Sequence, residues 1–287
     1  MSESWQPQLQ AFFDLRGMTI GTVPTVEDLC YVSGREPRLW TNDELQLDLK
    51  KSLLRLIEAD KSSEVLEVGA GSGFLARLVA PEVKKFTGID LSKGALAVAK
   101  KLKLPNARFQ VSDGEALPFA DNQFDAAYCY DVYTNFPRFD DGAPLIKEMI
   151  RVVKPGGLVL VGSIPDASVH DRFMEKVKQV SQELDERYGP ARVRPDLKPV
   201  PMRQRSFGAS LRSLLAKFGL SRTPSESVAQ GAPEPSINPQ ILTYNFHQSE
   251  FETLGEQEDV SMEIHPTHSK NPYAEFRFNA VYKVPQR

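Results

Sequence analysis

Gly69, Gly71 and Gly73 stand at every second position behind a short apolar run, Val65-Leu66-Glu67-Val68, and before a second one, Phe74 to Val79. The first run reads as a buried strand, apolar but for one acid, and the second as a helix. Strand, glycine turn and helix together make a bed for a nucleotide. Glycine permits positive φ and lets a ligand lie directly on the backbone, and a helix N-terminus offers unpaired N–H groups. Spacing separates two ligand classes. A dinucleotide fingerprint places its third glycine where this chain has Phe74, and a pyrophosphate would be repelled by the nearby Glu67 carboxylate. A cationic ligand, or one carrying an amino group, would be attracted to it. A glycine-rich turn that holds no ligand is the alternative for this stretch taken alone.

The strands that follow supply acids at their ends. Lys85 to Asp90 reads as a second strand, and Asp90 lies about twenty residues past the loop, where an acid can hold both hydroxyls of a ribose. Leu91-Ser92 then opens a helix with Ala95, Leu96, Val98, Ala99 and Leu102 on its apolar face. A third strand, Ala107–Val111, leads to Ser112-Asp113-Gly114, and a fourth, Ala126–Tyr130, follows the turn Asp121 to Asp125. Gly142 to Val153 has helical spacing, stopped at Lys154-Pro155-Gly156-Gly157 because proline cannot continue a helix. Leu158–Ser163 reads as strand five. This alternation predicts a parallel sheet with helices on both faces and a ligand beyond the carboxyl ends of its strands.

The E-x-G-x-G-x-G loop from Glu67 to Gly73 resembles motif I of the class I S-adenosylmethionine-dependent methyltransferases. The run Asp113 to Phe119, the Phe124-Asp125 pair before strand four and the K-P-G-G unit are similar to the ubiquinone/menaquinone-type small-molecule subgroup. The resemblance covers Val65 to Ser163 well and Ser249 to Val284 loosely. It implies an α/β fold: a Rossmann-like, doubly wound, seven-stranded, mostly parallel sheet with an antiparallel last strand and a largely helical insertion after strand five. It also implies S-adenosyl-L-methionine as cofactor and S-adenosyl-L-homocysteine as product. The cofactor residues it implies are Glu67, Gly69, Ala70, Gly71, Gly73, Asp90, Leu91, Asp113, Gly114 and Tyr130, with Asp113 reaching the adenine amine. Acceptor-side candidates are Asp131 or His247 as general base and Tyr133 as an orienting hydroxyl. The N/D-P-P-Y signature of enzymes that methylate adenine or glutamine amines is absent after strand four.

The expected organisation is an N-terminal lid and helical segment over 1–60 and a cofactor-binding core over 61–164 and 247–287. An insertion over 165–246 is expected to cap the acceptor. Within the first segment, Phe12 to Leu15 reads as a short helix or lid, Gly17, Gly21, Pro24, Gly34 and Pro37 as loop punctuation, and Thr41 to Ala59 as a capped helix. Nine basic residues between Arg187 and Arg222 are opposed only by Asp196. They suggest either a solvated loop or an anion-binding surface. A net charge of -3 argues against nucleic acid as a partner. The two cysteines, Cys30 and Cys129, are too few and too far apart for a disulfide framework or a zinc cluster, and no metal is expected. The opening residues lack a basic stretch followed by an apolar one, so a cytoplasmic location is expected, with a homodimer left open. The expected activity is methyl transfer to an oxygen, nitrogen or carbon of a small-molecule acceptor. The alternatives are a non-catalytic methyltransferase-like partner subunit and a NAD(P)-dependent oxidoreductase.

Overall fold

The computed structural model describes residues 6–114, 116–190 and 244–286. Among these, seven strands form one sheet: β1 (Glu64–Val68), β2 (Lys85–Asp90), β3 (Ala107–Val111), β4 (Phe124–Tyr130), β5 (Val153–Pro165), β6 (Ser261–Pro266) and β7 (Arg277–Lys283). Their order is β3-β2-β1-β4-β5-β7-β6. Neighbours pair in parallel from β3 across to β5, and β7 runs antiparallel to both β5 and β6. The order reverses between β1 and β4, and in an open α/β sheet this switch point is where a crevice opens for a ligand.

The period-two alternation of the strands sorts their side chains to two cores. Val65, Phe86, Ala126 and Tyr128 face one of them. It is covered by α2 (Val26–Val32), α4 (Asp43–Leu56), α5 (Ala76–Val79) and α6 (Lys93–Lys101). Leu45, Leu49, Leu53 and Leu56 place the apolar stripe of α4 there. Leu66, Ile89, Ala127 and Cys129 face the other core, under α7 (Phe139–Val152) and the helix Gln248–Gln257. Both cysteine thiols are buried, and burial pushes each up to about 12.

The N-terminal segment is more helical than its glycines and prolines suggest. α1 (Gln6–Met18) extends well beyond Phe12–Leu15, and α2 and α3 (Pro37–Trp40) occupy stretches read as loop. Thr25 and Asp28 form a reciprocal capping box that starts α2, and Pro37 sits in the first turn of α3, where its missing N–H costs nothing. β5 is likewise longer than Leu158–Ser163, because Val153 already pairs with Phe124 and Gly156 N–H donates to Val284 O at 2.8 Å. The run Phe74 to Val79 forms helix only over Ala76–Val79.

After β5 the chain leaves at Asp166 and returns at Phe246, where the two residues bridge. The apolar spacing of Phe173, Val177, Val180 and Leu184 predicts a helix over 168–188, and it forms as α8 (His170–Tyr188), with Phe173 and Val180 buried. Residues 210–218, whose spacing suggests a short helix, the Pro/Ser/Ala-rich stretch 221–239 and the basic residues from Arg192 to Arg222 lie outside the described residues. α9 (Gln248–Gln257) and the β6–β7 pair close the fold. No helix among the described residues is long and apolar enough to cross a membrane.

Candidate functional site

The glycine loop is held open by its own backbone. Gly69, Gly71 and Gly73 have φ of 79°, 50° and 81°, the left-handed region that glycine enters without strain. Two of the three are needed for packing. A Cβ on Gly69 would overlap the Val132 side chain, and one on Gly73 would press against Leu102 and Ala99 of α6. Only the middle glycine combines positive φ with open space, its nearest neighbours being Ser33 Oγ at 3.4 Å and Asp90 Oδ2 at 4.0 Å.

A cavity opens above this loop. Glu67, Gly69, Ala70, Gly71, Asp90 and Leu91 line one side of it. Asp113, Gly114 and Tyr130 line another. Gly73 is not among the lining residues; it lies beneath α6, so its contribution is to seat the loop and not to touch a ligand.

Two of the cavity's carboxyls, Glu67 and Asp90, are pushed toward the neutral form. Burial raises Glu67 to about 8, with Arg35 opposing the shift and Asp90 adding to it. Glu67 Oε2 is buried without a hydrogen-bond partner among the described residues. Burial also raises Asp90, to about 6, against the backbone N–H groups of Ser92 and Gly71. Its two oxygens each accept one of these N–H groups at 2.8 Å. A carboxylate oxygen has two acceptor sites, so each keeps one for a ligand hydroxyl.

α1 forms the remaining wall, contributing Gln6, Leu9 and Phe13. It is clamped to the start of α6: Asp14 Oδ1 accepts from Ser92 Oγ at 2.7 Å and from Gly94 N at 2.8 Å, and Gln10 Nε2 donates to Leu91 O at 3.1 Å. The approach is close because Gly17 and Gly94 lie back to back. A Cβ on either would overlap backbone atoms of the facing segment. The end of α2 is tied in as well, through Ser33 Oγ and Ser72 Oγ, 2.7 Å apart.

A second cavity, of about 810 Å³, shares Phe13, Ser33, Arg35, Asp131 and Asn135 with the first. Asp131 sits at its centre between two guanidiniums, with Arg35 Nη1 at 2.6 Å and Arg277 Nη1 at 3.0 Å. Burial alone would raise this carboxyl, but the two arginines outweigh burial and hold it below the ordinary aspartate range. Arg35 is fixed in turn by the faces of Trp40 and Phe74, 4.7 and 5.0 Å from the ring centroids. Asp131, just past β4, and Ser163, at the irregularity within β5, have φ of 59° and 60°, a conformation costly for non-glycine residues. The strain aims both toward Arg277, which also donates to Ser163 O at 2.9 Å.

The acceptor-side candidates therefore divide. Asp131 faces both cavities but is locked as an ion-paired carboxylate, a poor proton acceptor. Tyr133 does not line either cavity: it is fully buried among Phe136, Phe246 and Phe251 and donates to Phe139 O at 2.8 Å. Burial raises its hydroxyl further from ionisation. His247 is exposed, and its backbone N–H donates to Glu250 Oε2 at 2.8 Å to start α9, outside both cavities. Arg35 and Arg277 were not singled out from the sequence. Arg35 stands in a stretch that reads as loop, and Arg277 interrupts an alternating strand with an inward-facing charge, the one signal that marks it.

Residues 66–161 match the family model described as a methyltransferase domain. Over 112 residues the chain is 37% identical to a demethylmenaquinone methyltransferase of Chlorobaculum parvum, a match covering 39% of this chain and 45% of the relative. It is 32% identical over 124 residues to a ubiquinone biosynthesis O-methyltransferase of Alkalilimnicola ehrlichii, covering 42% of this chain and 48% of the relative. The chain thus spans about half the length of these curated relatives. A chain of the solved complex between the Haloferax volcanii Trm112 methyltransferase activator and the methyltransferase named with it superposes with a TM-score of 0.54 at 14% identity, covering 95% of this chain and 97% of that one. At that identity the likeness speaks to the fold.

Proposed function

We propose that this chain, which carries a class I S-adenosylmethionine-dependent methyltransferase domain over residues 66–161, transfers the methyl group to an oxygen, nitrogen or carbon of a small-molecule acceptor. One observation carries the reading. A cavity with acids at the ends of β1, β2 and β3 shares a wall with a second cavity outside the cofactor bed. The fit to the cofactor rests on Glu67 and Asp90. A buried carboxylate oxygen without a partner suits an ammonium or sulfonium, and a doubly accepting aspartate with spare lone pairs suits a ribose diol.

S-adenosylmethionine supplies a methyl carbon already activated by its sulfonium, the electron pair of the breaking S–C bond staying with sulfur. The protein's share is orientation and exclusion of water. Asp90 would hold the ribose, Asp113 the adenine and Glu67 the charged end. Phe13 and the α1 wall close the cavity over them, and Asp131 holds Arg35 and Arg277 in place instead of removing a proton.

Calorimetric titration with S-adenosylhomocysteine, with NADPH in parallel, tests the reading. Micromolar binding of the former alone is expected. Binding of NADPH alone would mean an oxidoreductase bed. Binding of S-adenosylhomocysteine with no turnover of methyl-labelled cofactor on any acceptor would favour a partner subunit.

Protonation gives a second expectation. In the free protein at pH 7 Glu67 is mostly neutral, and an ammonium brought beside it favours the carboxylate. Binding therefore releases protons at pH 7, and affinity rises with pH until about 8. Titrations in buffers of different ionisation enthalpy read this release directly, and Glu67→Gln should remove most of it. The sign for stability is opposite. With the folded pKa above that of the unfolded chain, the free protein loses stability as pH rises from the ordinary glutamate range to about 8. A melting temperature that climbs over this window would contradict the assignment.

A further inference from the structure

Among the described residues the second cavity carries an uncompensated charge. Its lining includes two guanidiniums, Arg35 and Arg277, against one carboxylate, Asp131, a net of one positive charge. Tyr273 does not alter the balance, since burial raises its hydroxyl to about 12. Glu36 and Asp185 both pair with Arg38, and Glu67, the acid of the first cavity that feels Arg35, is kept toward its neutral form by burial. Two donors at the cavity are also unused. Arg277 Nε and Thr134 Oγ1 are buried without a hydrogen-bond partner among the described residues, although Arg277 Nη1 is fully occupied by Asp131 and Ser163. A buried cation with an orphan N–H costs free energy unless something fills the place. The lining also carries the rings of Phe13, Trp40 and Phe173, the last 5.5 Å from the Arg277 guanidinium, among polar side chains such as Asn135 and Asn271.

We propose that this cavity selects the acceptor by a single carboxylate, held by Arg277 and Thr134, with the acceptor's flat apolar body between Phe13, Trp40 and Phe173. The proposal rests on the methyl-transfer reading. A monoanion matches the net charge of the lining, whereas a phosphate dianion would leave excess negative charge buried beside Asp131. The strained backbone at Asp131 and Ser163 is what presents Arg277 to the cavity, so Arg277 sets specificity while the cofactor bed lies elsewhere.

The test uses the full chain saturated with S-adenosylhomocysteine and titrated with four probes of one shape: benzoate, benzamide, benzylamine and phenyl phosphate. Benzoate is expected to bind at least tenfold more tightly than benzamide, with benzylamine not binding. Arg277→Gln should abolish that preference while S-adenosylhomocysteine affinity stays within twofold, and Arg277→Lys should retain part of it. Should Arg277→Gln fail to fold, Thr134→Val carries the test, with a severalfold loss of benzoate affinity expected. Equal binding of benzoate and benzamide, no binding of benzoate to the loaded protein, or tighter binding of phenyl phosphate would each overturn the proposal. Failure of S-adenosylhomocysteine itself to bind would overturn the methyl-transfer reading first, and this one with it.

Discussion

Replacing Asp90 by alanine is expected to weaken binding of S-adenosylhomocysteine by roughly 100-fold at pH 8. Two hydrogen bonds from ribose hydroxyls to a charged acceptor are together worth about 3 kcal/mol, which corresponds to that factor. The loss should shrink toward pH 6, because the native side chain is itself half protonated there. Stability should change little. The alanine gives up acceptors for Gly71 N and Ser92 N, but it also removes a carboxylate that burial has already destabilised. Calorimetry measures the affinity, and thermal melting checks that the fold survives. An affinity unchanged at pH 8 in a folded variant would remove Asp90 from the ribose site.

The second large effect is expected at Gly94, outside the cavity. Gly94→Ala places a methyl group on backbone atoms of Asp14, which cannot move without carrying α1 with them. α1 should lift from α6, breaking the Asp14 bonds to Ser92 and Gly94 and removing the wall made by Gln6, Leu9 and Phe13. Cofactor affinity should fall by about tenfold, since roughly 1.4 kcal/mol is a modest share of what an apolar wall contributes. α1 should also become a site of rapid proteolysis. The melting temperature of the sheet should hardly move, because Gly17 is the only buried residue of α1. Gly21→Ala is the control: nothing lies within 4 Å of the added carbon, and no change is expected. Protection of α1 from protease in Gly94→Ala would show that the contact is dispensable.

The sequence made the cofactor bed legible because its signals are local. Glu67 to Gly73, Asp90 and Asp113 each follow a short apolar run, and the alternation of such runs with helical spacing fixes which strand ends come together. That the last strand is antiparallel came from resemblance, and its place beside β5 from the structure alone. The acceptor side was far less legible. Tyr133 and His247 follow strand four and precede a helix, as site residues often do, yet one is consumed by an aromatic cluster and the other by helix capping. Arg35 and Arg277 were invisible for a different reason. Their meaning depends on a shared contact across most of the chain, and nothing near either residue in sequence points to the other. Gly34 and Pro37 misled in a simpler way: each marks the boundary of a short helix, and boundaries so closely spaced read as loop.

The meeting of Arg35, Asp131 and Arg277 has a consequence for the order in which the molecule becomes competent. The glycine loop, Asp90 and Asp113 need only the strands up to β4 and the helices packed on them. The second cavity needs β7, which can enter the sheet only after the long excursion beyond β5 has returned at Phe246. Closing such a distant contact is the slow part of building a sheet. A refolding chain should thus form the cavity above its glycine loop before it forms the second one. The same separation lets the second cavity change through β7 and the segments around it, while the strands that carry the glycine loop, Asp90 and Asp113 stay as they are.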